Sequence, residues 1–363
     1  MLKSNWIKKQ RGMVTMKVGI ATVQVPFIRG GAESLVEMLK SELLKREYQT
    51  EIVTIPFKWY PWEQLINCMI MGRMIDITES DGEKIDKVIA MKFPSYYLKH
   101  ENKVCWLMHQ HRSAYDLWGA EYGDLHTLPN GEELRRIVLE NDNRYLPEAR
   151  NIFTIARTTS DRLMRYNHLK SEVLYHPPKD HEAFYCEEYG DYVFYPSRIN
   201  PMKRQMLLIS AAKYLKSDAK IVIAGTGASS EIEKMKSYIR ENLLENKVKL
   251  LGYISDEEEI QLYSKCLAVY FGTYNEDYGY ITLEGFCAQK PVIIHPDAGG
   301  PTEFVEDGVN GFVVEPDPVE IAGKIDALFE NKKEAERLGK NGKKTITDRN
   351  MNWDHVIDRL LKG

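Results

Sequence analysis

Short β-rich runs alternate with helical runs along almost the whole chain, and this alternation admits few folds. Strand patterns fall at residues 18–25, 51–56, 87–91, 104–108, 151–155 and 173–175, with amphipathic helices at 32–46 and 132–144. Strands separated by helices form parallel sheets, because each parallel connection needs a crossover, and the crossing helices cover both sheet faces. At Tyr175-His176-Pro177-Pro178-Lys179-Asp180 the pattern stops, since two adjacent prolines remove backbone donors and disfavour helix before them. It then restarts, with strands at 192–195, 220–224, 247–251, 267–271, 291–295 and 312–314 and helices near 204–215, 230–244, 256–264 and 281–288. A length of 363 residues also exceeds what one core usually serves. The expectation is two α/β domains, over 16–180 and 181–348, facing each other across a cleft. Residues 1–15 carry Lys3, Lys8, Lys9 and Arg11 without an acid and read as a flexible basic lead; 349–363 read as an amphipathic closing helix.

Composition narrows the function classes. A formal net charge of −4, with no dense Lys/Arg run, argues against a nucleic-acid partner. Cys68, Cys105, Cys186, Cys266 and Cys287 are scattered, with neither Cys-x-x-Cys nor zinc spacing, and read as reduced thiols of a cytoplasmic protein. No apolar run approaches the roughly twenty residues that span a bilayer, and no signal segment opens the chain. Two segments suit a peripheral contact with the inner membrane face: Trp6 and Ile7 in the lead, and residues 59–76 with Trp59, Tyr60, Trp62, Met69, Ile70, Met71 and Met74. The second segment reads equally as an acceptor-receiving surface or as a core helix.

The residues suited to chemistry gather in strand-to-helix loops. In Glu276-Asp277-Tyr278-Gly279-Tyr280-Ile281-Thr282-Leu283-Glu284 a polar loop turns at Gly279 and enters an apolar helix. Backbone N–H groups of Tyr280, Ile281 and Thr282 would there meet a phosphate at a helix N-terminus, with Glu276 before the anion and Glu284 beyond it to accept sugar hydroxyls. Ser197-Arg198-Ile199-Asn200-Pro201-Met202-Lys203-Arg204 follows a strand and offers Arg198 as a bidentate phosphate grip and Lys203 as a point charge. Gly30 and Gly31, in Gly-Gly-Ala-Glu after the first strand, permit close backbone approach to a ligand. His109 directly follows the apolar run 104–108, at the carboxyl end of a parallel strand. Gly225 and Gly227 open a further strand-to-helix turn but lack the third glycine of a dinucleotide fingerprint. Gly252, Tyr253 and Ile254 follow another strand.

Arg198, Lys203, Glu276 and Glu284, in that order and spacing, resemble the signature of the family 4 retaining glycosyltransferases, whose two Rossmann-like domains form the GT-B fold. The resemblance extends through Asp297-Ala298-Gly299-Gly300-Pro301-Thr302-Glu303 and Asn310-Gly311-Phe312-Val313-Val314, and in the first half touches only the Gly-Gly loop and His109. It departs at Gly285, where the family usually has Ala. It implies a nucleotide diphosphate sugar as donor, and a saccharide or lipid-linked acceptor in polysaccharide or glycoconjugate synthesis. Gly30 and Gly31 would close over the diphosphate, Glu276 and His109 orient a hexose-type sugar, Glu284 hold the ribose, and Gly252, Tyr253 and Ile254 hold the base through main chain. The closing helix would pack back on the first domain. No Asp-x-Asp occurs, so Arg198, Lys203 and helix amides are expected to meet the leaving diphosphate without a metal or other cofactor. The competing readings are a nucleotide-sugar epimerase and a non-catalytic nucleotide-sugar-binding protein; an NAD-dependent oxidoreductase ranks last for want of the third glycine.

Overall fold

The computed structural model describes residues 16–363, so the expectations placed on 1–15 lie outside the described residues. The chain divides into two compact units: one closes at Leu174 and takes back Trp353–Gly363, and the other is Tyr175–Asn352. The division precedes the expected 180/181 boundary because Tyr175 and His176 are already tied to the second unit. The Tyr175 hydroxyl donates to Glu303 at 2.8 Å, and the His176 N–H donates to the Tyr278 hydroxyl at 2.9 Å.

In the first unit the elements run β1 (Lys17–Gln24), α1 (Gly31–Lys45), β2 (Gln49–Pro56), α2 (Trp62–Met74), a hairpin of β3 (Glu79–Ser80) and β4 (Glu83–Lys84), then β5 (Lys87–Ala90) and β6 (Lys103–Leu107). α3 (Gly131–Tyr145), β7 (Ile152–Thr154), α4 (Arg157–Asn167) and β8 (Glu172–Val173) follow. The sheet is parallel throughout, in the order β2-β1-β5-β6-β7-β8. β5 and β6 are buried along their length, as expected of central strands covered on both faces. α1 turns Leu35, Val36, Leu39 and Leu43 inward at three- and four-residue spacing, the apolar stripe of a helix lying on a sheet. α2 is not a simple core helix. Leu65, Cys68 and Met69 are buried, yet Trp62, Ile70, Met71 and Met74 are exposed, and a groove of about 210 Å³ runs between α2 and α3.

The second unit runs β9 (Tyr192–Pro196), α5 (Gln205–Ala211), β10 (Lys220–Ala224), α6 (Ser229–Glu241), β11 (Val248–Gly252), α7 (Asp256–Lys265), β12 (Ala268–Tyr270) and α8 (Tyr280–Cys287). It ends with β13 (Val292–Ile294), β14 (Gly311–Val313), α9 (Pro318–Glu330) and α10 (Lys332–Asp348). Its parallel sheet has the order β11-β10-β9-β12-β13-β14. The order reverses between β9 and β12, the place where open α/β sheets leave a crevice at their carboxyl ends. α11 (Trp353–Lys362) belongs to the first unit. It buries Trp353, Val356, Ile357 and Leu360, sets Trp353 edge-on to Trp106, and its terminal carbonyls at Leu361 and Gly363 accept from the buried Lys87 ammonium at 2.8 and 2.7 Å.

Candidate functional site

The loops leaving β9 and β12 flank the reversal, and they carry the expected cations and the first of the two acids. Asn200 accepts from the Lys203 N–H at 3.2 Å and so shapes the short turn Pro201–Lys203. The two loops are joined by backbone: the Tyr274 N–H donates to the Met202 carbonyl at 2.8 Å. Lys203 forms an ion pair with Glu276 and lies 5.0 Å from the centre of the Phe271 ring. Thr273 also donates to the same Glu276 oxygen, at 3.1 Å. Arg198 is exposed at the head of its loop.

Arg204, which sequence reasoning did not assign, grips Asp297 through two parallel hydrogen bonds of 2.9 and 2.6 Å. That fork binds the β9 loop to the loop after β13. The same β13 loop is laced to Glu276: Asn275 and Glu276 N–H groups donate to the Asp297 and Ala298 carbonyls at 2.8 and 2.7 Å, and the Gly300 N–H returns a bond to the Glu276 carbonyl at 2.7 Å. Gly299 sits at φ +75°, and a Cβ there would lie 2.5 Å from the Glu276 carbonyl oxygen. The Gly-Gly pair thus lets one loop seat directly against the acid-bearing loop.

Gly279, at φ +91°, makes the left-handed turn into α8. One expectation needs correction here: the Thr282 N–H is occupied, donating to the Gly279 carbonyl at 3.0 Å. Tyr280 and Ile281 supply the orphan amides of the helix start. The Thr282 hydroxyl is wholly buried and has no hydrogen-bond partner. Tyr278 and Tyr280 turn inward around His176: the Tyr278 ring stacks on the imidazole at 4.2 Å, and the Tyr280 hydroxyl and the imidazole Nε2 share a hydrogen bond of 2.7 Å. Burial, with no acid beside it, drives the His176 pKa down to about 3, so the ring is neutral.

One helical turn into α8, Glu284 accepts from the Tyr263 hydroxyl at 2.8 Å. Burial first, and then the neighbouring Glu259 carboxylate, raise its pKa well above the ordinary carboxylate range. Glu259 stands one turn before Tyr263 on α7 and is raised for the same kind of reason, by burial and by Asp256, while Lys179 acts the other way. Lys179 itself is paired to Asp256 at 2.6 Å. Neither Tyr263 nor Glu259 was singled out in the sequence, because the contact spans two helices.

Gly225 and Gly227 have a packing reason for their lack of a side chain. A Cβ would meet the Ser197 carbonyl oxygen at 1.9 Å and the Ile199 carbonyl oxygen at 2.3 Å, so these glycines seat the Arg198 loop. The Gly225 N–H donates to the Gly252 carbonyl at 2.7 Å, and Tyr253 beyond it is exposed. In the first unit, Gly30 caps α1 and its N–H donates to the Glu33 carboxylate at 2.9 Å; Gly31 is the first helical residue. His109 donates from Nδ1 to the Gln110 carbonyl at 2.6 Å. His111, two residues further on, packs among Phe57 and Phe93, and burial lowers its pKa to about 4. Among the described residues no cluster of His, Cys, Asp or Glu could hold a metal ion.

Residues 179–345 match the family described as glycosyl transferases group 1. A glycosyltransferase of Methanocaldococcus jannaschii, described as uncharacterized, is 26% identical over 96% of this chain and 98% of its own length. The mouse alpha-1,3/1,6-mannosyltransferase is 32% identical, but over only 36% of this chain and 31% of that protein. Among solved structures, HepE of Anabaena in complex with UDP and glucose has a TM-score of 0.66 at 17% identity, covering 95% of this chain and 98% of that one. The fold is the GT-B type, two Rossmann-like units each built on a parallel sheet. The chain is a glycosyltransferase.

Proposed function

We propose that the protein transfers a hexose-type sugar, with retention of anomeric configuration, from a nucleotide diphosphate sugar to a saccharide or lipid-linked acceptor. The observation that carries this is the meeting of Lys203 and Glu276 at the sheet reversal beside the start of α8. As the glycosidic bond breaks, negative charge grows on the departing diphosphate oxygen. Arg198, Lys203 and the Tyr280 and Ile281 amides answer that charge. Glu276 exchanges its ion pair for hydroxyls of the transferred sugar, with Thr273 holding one carboxylate oxygen in place. Glu284, steadied by Tyr263, accepts from the ribose. Within the first unit, His109 is read as a sugar contact, and Gly30 and Gly31 keep the start of α1 open to close approach.

On this reading no metal is required, since two side-chain cations and a helix start occupy its electrostatic role. The relatives named above support a nucleotide donor: HepE is described with UDP and glucose, and the mouse protein as a mannosyltransferase. The five described cysteines are free, which suits a cytoplasmic setting. The exposed Trp62, Ile70, Met71 and Met74 on α2 suit an acceptor with an apolar portion or a peripheral membrane contact. The test is a panel of UDP- and GDP-sugars, with and without acceptor, followed by NMR of the anomeric proton and repeated in excess chelator. Acceptor-dependent transfer with retained configuration that survives chelation is expected. Strict dependence on magnesium or manganese, or epimerised donor without acceptor, would overturn the reading.

A further inference from the structure

The turn that presents Lys203 is held by a phenol of the strand that leads into it. Tyr195, on β9, donates from its hydroxyl to the Lys203 carbonyl at 2.6 Å. That carbonyl belongs to the Lys203–Arg204 peptide, whose N–H donates to the Pro201 carbonyl at 3.1 Å, so both polar groups of the peptide are bonded. The Lys203 N–H is engaged as well, by the backbone carbonyl of Asn200 at 3.0 Å and its side-chain oxygen at 3.2 Å. Arg204 stands in the left-handed region at φ +52°, a conformation that a residue other than glycine keeps only where its surroundings over-determine it. The Tyr195 bond does so from one side and the Asp297 fork from the other.

Tyr195 is wholly buried, and its ring packs edge-on against Tyr270 at 5.3 Å and Phe271 at 6.1 Å. Phe271 is the ring beside which the Lys203 ammonium lies. Filling the core asks only for the ring, which phenylalanine would supply. A buried hydroxyl costs free energy unless it finds a partner, and here the partner is the main chain of the cation. Burial also pushes the Tyr195 pKa far above the ordinary phenol range, so the group stays a donor through neutral pH.

We propose that Tyr195 is a positioning residue for Lys203: its hydroxyl fixes the Lys203–Arg204 peptide, and with it the backbone from which the ammonium reaches the leaving diphosphate. The role rests on the reading of Lys203 as a cation that meets that diphosphate. A lysine ammonium ends a flexible four-carbon stem, so its reach is set by where the Cα is held and in which direction the Cβ leaves it. With the carbonyl released, rotation returns about the Lys203 ψ and Arg204 φ bonds, and the side chain populates other directions. A cation stabilises growing charge best when it is in place beforehand, because reordering it during the reaction forfeits part of the gain.

The test uses the full chain and a control from the same strand. Tyr192 opens β9 and donates from its hydroxyl to the Leu262 carbonyl on α7 at 2.7 Å, so Tyr195→Phe and Tyr192→Phe remove like bonds. Melting curves should show both variants folded. Only Tyr195→Phe should lower kcat/KM for the donor, by about tenfold, and weaken UDP or GDP binding in calorimetry by about threefold or more, the scale of one lost hydrogen bond. In a Lys203→Ala background the same change should cost less than about twofold in either measurement, because two lesions of one device do not add. Asn200→Ala, which frees the Lys203 N–H from its side-chain partner, should follow the same pattern and replaces Tyr195→Phe if that variant does not fold. Equal kcat/KM and nucleotide affinity in folded Tyr195→Phe and Tyr192→Phe, or a Tyr195→Phe loss undiminished in Lys203→Ala, would overturn the role. A wild type that binds UDP or GDP but transfers no sugar counts against the proposed transfer, and the titrations still decide the role. A wild type that binds neither nucleotide removes the reading of Lys203 and this role together.

Discussion

The carboxyl ends of the two sheets are finished in different ways. In the second unit the loops after β9, β12 and β13 are laced to one another by the Arg204–Asp297 fork, the Lys203–Glu276 pair and four backbone bonds, at Tyr274, Asn275, Glu276 and Gly300. In the first unit the loop after β1 and the start of α2 leave apolar side chains exposed. Phe27 is fully exposed at φ +65°, with Ile28, Tyr60 and Trp62 also exposed. A laced edge costs little reordering when a ligand of fixed shape such as a diphosphate arrives; an open edge can adapt to a partner of variable shape. On the function proposed above, the laced edge suits the diphosphate of the donor and the open edge suits the acceptor.

The largest effect that could break this comparison is at Lys203. Lys203→Ala removes a preorganised cation and leaves Glu276 without its ion pair, so turnover should fall by about a hundred- to thousandfold with the fold intact. Arg198→Ala should behave alike, with less effect on stability because Arg198 is exposed. Steady-state kinetics beside a melting curve decides the matter: near-wild-type rates in both variants would move the leaving-group site elsewhere.

The lacing itself is tested by Gly299→Ala. The new Cβ would meet the Glu276 carbonyl oxygen at 2.5 Å on a backbone at φ +75°, so either the loop shifts or the strain persists. A loss of about 1–3 kcal/mol is expected, read as a lower midpoint in denaturant unfolding, together with weaker donor binding. Gly308→Ala is the control. It shares the positive φ, at +70°, but meets nothing within 4 Å, so it should cost less and leave donor binding alone.

These positions also show where sequence stopped being sufficient. The alternation of strands and helices was legible because each element follows from its own local pattern, and the signature loops were legible because their residues lie close together in sequence. The β3–β4 hairpin went unread although its turn, Asp81-Gly82, is a strong two-residue hairpin signal; both residues have positive φ. Arg204 and Asp297 are 93 residues apart, and nothing in either neighbourhood announces the other. At Gly225 and Gly227 the sequence shows that a Cβ is absent but not what fills its place, which is the Ser197–Ile199 backbone. His176 hid in a proline-flanked stretch that read only as a boundary.

A smaller effect separates the two ends of the donor site. Glu284 carries a raised pKa, from burial and from Glu259, whereas Glu276 is paired to a cation. As pH falls, Glu284 protonates and stops accepting from the ribose, so donor KM should climb at a pH above the ordinary carboxylate range. Glu259→Gln removes the like charge, lowers the Glu284 pKa and should shift that climb to lower pH. Since a raised carboxyl pKa destabilises the fold as pH rises through it, the same variant should also be relatively more stable on the alkaline side. Donor titrations across the pH range, with kcat measured alongside, check the sign; a climb that stays put would detach Glu259 from the site.

The smallest effect on the enzyme alone is expected at the open edge. Phe27 buries almost nothing and Ile28 is about half exposed, so the double change Phe27→Ser, Ile28→Ser should alter stability only modestly. If those side chains exist to be covered by acceptor, the cost should fall on acceptor KM, with donor KM and donor hydrolysis unchanged. Measured against a hydrophilic acceptor and one carrying an apolar tail, the variant should lose selectively on the second, because each methylene removed from water is worth about 0.8 kcal/mol. An equal loss on both acceptors would mean that the loop closes over the reacting groups instead, and the division of labour between the two edges would have to be redrawn.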